Sequence, residues 1–379
     1  MTTLELRDRP VTPNSTGLFT PYTVGDLKLR NRIVMAPMTR EASADGRPTP
    51  EMAAYYRRRA ANDVGLIITE GTVVDHPAAR NRTGVPVFHG EAALAGWSAV
   101  VDAAHAEGAA IWPQLWHVGM DRNAADPPSP GVGPAGPSGI DLYGQRSGRP
   151  MTESEIAEVI DAFGRAAADA YRLGFDGIEL HGAHGYLIDQ FLWERTNRRT
   201  DRYGGDLTRR TRFAAEVVRA CRRAVPAGFP ICFRLSQWKI TDFDACLART
   251  PAALESIVGE LAAAGVDLFH CSTRRFWLPE FSGSPLTLAG WVRKLTGLAT
   301  IAVGSVGLQG SEFLDALLTG AGAEVGSLDR VVEFLDRGEF DLVAVGRALV
   351  SDPGWARKLR LGRTSELLAF RAEHLAKLD

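Results

Sequence analysis

Three side chains close together pose the chemical question in this chain. His181 and His184 lie three positions apart, and Tyr186 follows two further on. They open the stretch from Glu179 to Gly205, ELHGAHGYLIDQFLWERTNRRTDRYGG. A straight strand would send positions i and i+3 to opposite faces. Gly182 and Gly185 let the backbone bend, so both imidazoles can converge on one ligand. A tyrosine, with a pKa near ~10, is protonated at neutral pH and can give up a proton. Two imidazole donors beside a phenol suit a carbonyl that becomes an enolate: the donors hold the developing negative charge and the phenol protonates the neighbouring carbon. A metal site is the sharper rival for the histidines, but no acidic or cysteine partner stands at ligand spacing. A packing role is the plain alternative for Tyr186.

The elements that must hold these groups alternate along the chain. Apolar runs predict strands around Val34 (IVMAPMTR, ending at Thr39), at Gly65 to Thr69, Ala109 to Leu115, Gly177 to Leu180, Pro230 to Leu235, Val266 to Ser272, Thr300 to Ser305 and Phe340 to Gly346. Helices are expected between them. Thr49-Pro50 and Thr250-Pro251 are helix starts, with threonine as cap and proline in the first turn. Thr152-x-x-Glu155 is a capping-box signature opening a helix to about Arg172. Further helices are expected at Ala92 to Ala106 and Leu207 to Ala224. No hairpin signals separate the units. Continuous apolar strands are the mark of buried parallel sheet. Eight such units predict an α/β fold, a (β/α)8 TIM barrel with loop insertions. A doubly wound open sheet is the runner-up, but it needs a glycine-rich turn after its first strand, where this chain has A-P-M-T-R. Residues 1–379 read as one domain, with an irregular lead-in over about 1–20. A Pro, Gly and Ser-rich excursion at about 121–150 is a candidate lid. Residues Thr319 to Asp336 read as an extra segment between the last two strands, with no assigned role.

In a barrel, reactive groups gather at the C-terminal ends of strands. Those ends carry Ala36, Pro37, Met38 and Thr39, then Gly71, Gln114, the two histidines, Arg234, Gly304-Ser305 and Gly346-Arg347. Small residues on strands seven and eight let backbone N–H groups approach a phosphate. Arg234 interrupts an apolar strand, and a buried guanidinium needs an anionic or strongly accepting partner.

The stretch His181 to Leu187, Phe191-Leu192 and Asn197 to Gly205 resembles the Old Yellow Enzyme family of flavin-dependent ene-reductases. The family pattern runs H-x-A-H-G-Y-L, F-L, N-x-R-x-D-x-Y-G-G. One departure is Trp193-Glu194, where the family usually has Ser-Pro. The resemblance extends from about Leu18 to Lys358. It implies tightly but non-covalently bound FMN, with NADH or NADPH as reductant. It implies that Ala36 to Met38 lie along the flavin and that Thr39 hydrogen-bonds its O4. Gly71 and Gln114 would meet the pyrimidine, and Arg234 would lie near N1 and O2. Gly304, Ser305, Gly346 and Arg347 would hold the phosphate. The substrate implied is an α,β-unsaturated carbonyl compound, gripped by His181 and His184 and protonated by Tyr186. Trp116 would line its pocket, and Trp277, in Phe276-Trp277-Leu278-Pro279, is another candidate wall. Of the other histidines, His117 is read as a neighbour of the site, and His76, His89, His105 and His374 as surface or capping residues. Rival readings are a flavin barrel acting on a nitro compound, a dienoyl thioester or an amine, a non-catalytic flavin carrier, and a metal-dependent barrel hydrolase.

Composition narrows the field further. The chain has 379 residues, 45% of them hydrophobic, and a net charge of −2. That balance offers nucleic acid or an anionic membrane no electrostatic grip. No apolar run is long enough to span a bilayer, and the N-terminus lacks the core of a signal peptide. Four cysteines without C-x-x-C spacing suggest unpaired thiols in the cytoplasm. A homo-oligomer is compatible with all of this.

Overall fold

The computed structural model describes residues 15–310 and 319–379. Eight parallel strands close into a barrel: β1 (Ile33–Met35), β2 (Leu66–Val73), β3 (Ala110–Trp116), β4 (Ile178–His184), β5 (Ile231–Lys239), β6 (Leu268–Ser272), β7 (Ala299–Val303) and β8 (Leu342–Val345). Each pairs in parallel with the next, and β8 pairs with β1. The helices that return the chain are α1 (Pro50–Ala60), α2 (Glu91–His105), α3 (Glu153–Arg172), α4 (Leu187–Leu192), α5 (Leu207–Ala224), α6 (Pro251–Ala264), α7 (Leu288–Thr296), α8 (Asp329–Asp336), α9 (Arg347–Ser351) and α10 (Trp355–Arg360). This is the (β/α)8 architecture expected from the alternation.

Strand periodicity divides the apolar residues into two cores. Val34, Leu66, Ile68, Trp112, Cys232, Leu268, Ile301, Leu342 and Ala344 form a cluster inside the barrel. Phe163, Phe213, Val217, Phe233 and Phe269 belong to the layer between strands and helices. The helix starts follow the sequence signals. Thr49 and Thr250 cap α1 and α6 through their side chains, and Thr152 and Glu155 form a complete capping box on α3.

Several boundaries differ from the apolar runs. β2, β4 and β5 continue into polar residues, because pairing is made by backbone groups and tolerates polar side chains. His181 pairs with Arg234, and His184 with Lys239. Conversely, β1 ends at Met35, and Ala36 to Thr39 leave the sheet in an irregular segment. Two hairpins also occur outside the barrel, against the expectation of none. Tyr22–Val24 pairs with Leu27–Leu29, and their Val24 and Leu29 join the inner core. Leu308–Gly310 pairs with Ala323–Val325. The extra segment at 319–336 thus supplies one hairpin strand and the helix that precedes β8. Of the expected lead-in, residues 1–14 lie outside the described residues, and Ser15–Phe19 is a 3-10 helix. The excursion at 121–150 carries no helix or strand but is tied down: Arg199 donates to the carbonyls of Pro137 and Met151.

Candidate active site

The bend after β4 brings the two histidines together. The β4–β5 register shifts between Gly182 and His184, and His184 takes a left-handed φ of 66°, followed by Gly185 at 90°. A non-glycine residue there is costly and must be held by its surroundings. The His184 amide donates to Ser236 Oγ at 2.9 Å, and the Gly185 amide donates to Asp189 Oδ2 at 2.7 Å. Asp189 Oδ1 in turn accepts from Lys239 Nζ at 2.7 Å, with both side chains fully buried. Burial pushes the Asp189 carboxyl up and the Lys239 ammonium down, and their attraction opposes both shifts. Gly182 is required for a different reason: a Cβ there would stand 2.2 Å from the Phe233 ring.

The result is a tight group of rings. His181 lies 5.2 Å from His184 and 4.9 Å from Tyr186, centroid to centroid. Trp116 meets Tyr186 edge-on at 4.8 Å and stacks at 6.0 Å on His181. Trp238 packs against His184 at 4.5 Å. His184 and Tyr186 keep some surface open to a cavity, although both lie deep in the molecule. Burial, aided by Arg234, lowers His181 to about 3, and burial holds His184 well below its ordinary value. Both imidazoles are therefore neutral at physiological pH. His181 Nδ1 accepts from the Ala183 amide at 3.4 Å, which leaves the proton on Nε2. Burial, and then Asp121, pushes the Tyr186 phenol above its ordinary value, so it holds its proton.

The cavity measures about 440 Å³ and spans the C-terminal mouth of the barrel. Ala36, Pro37, Met38, Thr39, Gly71, Gln114, Trp116, His181, His184, Tyr186, Arg234, Gly304, Ser305, Gly346 and Arg347 all line it. Trp277 does not, and this corrects the expectation for it: its ring packs against Phe276 and under Arg330 on the connection after β6. His76 is also more than a surface residue, since its Nδ1 lies 2.9 Å from His117 Nε2. Residues the sequence reading missed include Asp121, Trp238, Ser272, Arg274 and Leu375, which line the cavity too. Beneath the floor, Glu179 Oε1 accepts from Gln114 Nε2 at 2.7 Å, and Glu179 Oε2 meets His270 Nδ1 at 2.6 Å.

The loop after β1 is fixed from below. Glu70 Oε2 accepts the amides of Arg40 at 2.9 Å and Glu41 at 3.1 Å, just beyond Thr39. Burial raises this carboxyl to about 7. At the β7 and β8 ends, Gly304 has φ 145° and a Cβ would fall 2.6 Å from the Thr273 carbonyl oxygen. Arg347 Nη2 reaches Ser305 Oγ at 3.5 Å.

A closed parallel barrel with a ring-lined cavity across its C-terminal mouth defines a (β/α)8-barrel enzyme. Comparison with known proteins narrows the class. Residues 17–366 match the NADH:flavin oxidoreductase / NADH oxidase family. An NADH oxidase of Thermoanaerobacter brockii is 35% identical over 361 residues, which is 92% of this chain and 52% of that protein, so the chain spans about half its length. A 12-oxophytodienoate reductase 7 of Oryza sativa subsp. japonica is 34% identical over 91% of this chain and 88% of its own. A structure of morphinone reductase in complex with tetrahydroNAD superposes with a TM-score of 0.76, at 31% identity and 91% coverage of each chain. The chain belongs to this family, the Old Yellow Enzyme family of FMN-dependent NAD(P)H oxidoreductases.

The residues present fit FMN. The cavity volume lies in the usual range of roughly 300–1,000 Å³ for small-ligand sites. Arg234 is buried on its wall, and its Nε has no protein partner. A Cβ on Gly71 would stand 2.6 Å from the Trp116 ring, so only glycine keeps this wall flat.

Proposed function

We propose that this chain reduces the activated C=C bond of α,β-unsaturated carbonyl compounds with electrons from NADH or NADPH. The observation that carries the reading is the meeting of His181, His184 and Tyr186 in one cavity with Thr39, Gln114 and Arg234. FMN, when bound, would supply the hydride-transfer chemistry that links the nicotinamide to the alkene. Thr39, Gln114 and Arg234 bind and orient its ring, with Ala36, Pro37, Met38 and Gly71 as a close-fitting wall. Gly304, Ser305, Gly346 and Arg347 hold its phosphate, at the place where barrels commonly bind one.

His181 and His184 donate hydrogen bonds to the substrate carbonyl. Being neutral, they stabilise the oxygen as it gains charge without giving up a proton early. Trp116 forms a flat apolar wall beside them, and Trp238 a second one. Tyr186 holds the proton for the α-carbon, because its raised pKa keeps it protonated until a carbanion-like centre asks for it. The family resemblance, and a His181 ring that lies 5.2 Å from His184 and 4.9 Å from Tyr186, support this division of labour. The same reading treats the chain as one FMN-binding domain acting in the cytoplasm, in keeping with four unpaired cysteines. Among the described residues no helix is long and apolar enough to cross a membrane.

The test separates the two half-reactions. Purified protein is expected to be yellow, bleached by NADH or NADPH and recoloured by cyclohexenone. Tyr186→Phe should slow alkene reduction about 10²–10⁴-fold and leave flavin reduction by the nicotinamide nearly unchanged. Equal loss in both halves removes Tyr186 from the acid role. A colourless protein that takes up no added FMN removes the whole reading.

A further inference from the structure

A buried carboxylate lies directly beneath the cavity floor, and the catalytic scheme above does not use it. Glu179 is fully buried on the inner face of β4, two residues before His181. It touches three strands. Its Oε1 accepts from Gln114 Nε2 on β3 at 2.7 Å and faces Arg234 Nη1 on β5 at 3.9 Å. Its Oε2 meets His270 Nδ1 on β6 at 2.6 Å and receives the Cys232 thiol at 3.6 Å. Burial alone would raise this carboxyl, but His270, Arg234 and Gln114 hold it below its ordinary value, so it is ionised. Burial, opposed by Glu179, lowers His270, which stays neutral and donates from Nδ1.

Two consequences follow. An ionised carboxylate accepts only donors, so it fixes which end of the Gln114 amide points down. Nε2 faces Glu179, and Oε1 is turned toward Gly71, where a Cβ would lie 3.3 Å from it. Gln114 thus presents an acceptor at the cavity wall. Secondly, Arg234 is buried with Glu179 as its near counter-charge, so the pair offers the cavity much less than a full positive charge. Arg234 Nη2 also reaches Ser272 Oγ at 3.3 Å, and that oxygen lies 2.8 Å from His184 Nε2.

We propose that Glu179 is a positioning residue that sets the reduction potential of the bound flavin, by orienting Gln114 and damping the charge of Arg234. This rests on the FMN reading above. A carboxylate at this depth disfavours the negative charge that the flavin gains on reduction. Glu179→Gln, nearly isosteric, should release the Arg234 charge and raise the midpoint potential. A tenfold gain in the reduction equilibrium is about 30 mV for a two-electron couple. His270→Leu removes the donor that helps keep the buried carboxylate ionised, so it weakens that negative charge and should also raise the potential. Glu179→Asp keeps the charge and should return close to the parent value.

The experiment is spectroelectrochemical titration of FMN-saturated protein at pH 8, with FMN affinity measured by fluorescence. Upward shifts for both Glu179→Gln and His270→Leu, with Glu179→Asp close to the parent, support the proposal. Unchanged or lowered potentials overturn it and leave Glu179 a purely structural anchor. If Glu179→Gln does not fold, the sign of the His270→Leu shift decides. Failure of the FMN reading itself would look different, because the parent protein would then carry no flavin.

Discussion

Replacing Lys239 by methionine tests how the catalytic turn is held. Methionine matches the length of the lysine stem but removes the ammonium that meets Asp189 at 2.7 Å. Both side chains have zero exposure, so the carboxylate left behind cannot be solvated in place. Breaking such a pair from one side costs about 3–5 kcal/mol, chiefly through the uncompensated charge. The loss should fall at acid pH. Without its partner, Asp189 has a folded pKa raised by burial, so its contribution is full below the unfolded value near ~3.9 and is lost as pH rises through the folded one. Lys239→Met with Asp189→Asn should recover most of the loss, because asparagine can still accept the Gly185 amide. Urea denaturation at saturating FMN, at pH 7 and pH 5, measures all three proteins. Phenol binding to the folded single variant should also weaken, since Gly185, next to the strained His184, donates to Asp189. A cost under about 1 kcal/mol at pH 7 would refute the claim that this pair is the brace of the turn.

Two further predictions concern pH. Glu70 is held at about 7 in the fold against an ordinary 4.5. Its contribution is present below pH 4.5 and is lost as pH rises through 7, on the order of 3 kcal/mol in all. Glu70→Gln should therefore gain stability relative to the parent between pH 5 and pH 8, and parallel stability curves would contradict this. Phenol affinity should show no histidine titration between pH 5 and 8, because His181 is lowered to about 3 and His184 well below its ordinary value. Asp121, raised by burial to about 6, shares the cavity and is the group expected to produce any step in that range. A step near pH 6.5 that survives both Asp121→Asn and Glu70→Gln would show an imidazole titrating after all.

The barrel was legible because its strands are nearly unbroken apolar runs, and buried parallel strands need little else. The cavity-lining residues were legible because they interrupt those runs at one end. Strand ends were not: apolar content stops at Leu180, while pairing continues to His184. Trp277 was misplaced because a large aromatic after a strand can turn either to the cavity or to the helical layer, and Phe276 and Arg330 draw it away. Glu179 and His270 were missed although a signal existed. Each sits two residues before a cavity residue on the same strand, Glu179 before His181 and His270 before Ser272, as Cys232 sits before Arg234. Period-two reading of the strands would have placed all three in the layer beneath the site. Lys239 and Asp189 left no such trace, since their meeting depends on how β5 and α4 approach in space.

That approach also accounts for the departure at Trp193-Glu194. Trp193 ends α4 and is 6% exposed. Its ring centroid lies 5.7 Å from Lys239 Nζ and 4.4 Å from the Arg195 guanidinium carbon. Its carbonyl accepts the amides of Thr196 and Asn197, so the loop turns without proline. Asn197 then donates to the carbonyls of Phe191 and Tyr203, which fixes the rest of the motif. A serine and proline here could close the turn but could not shield Lys239. An indole face can, and it attracts the cation as it excludes water. The large side chain and the buried lysine are thus two parts of one arrangement. Water kept away from Lys239 strengthens its pull on Asp189, and Asp189 holds the bend that sets His184 and Tyr186 over the cavity.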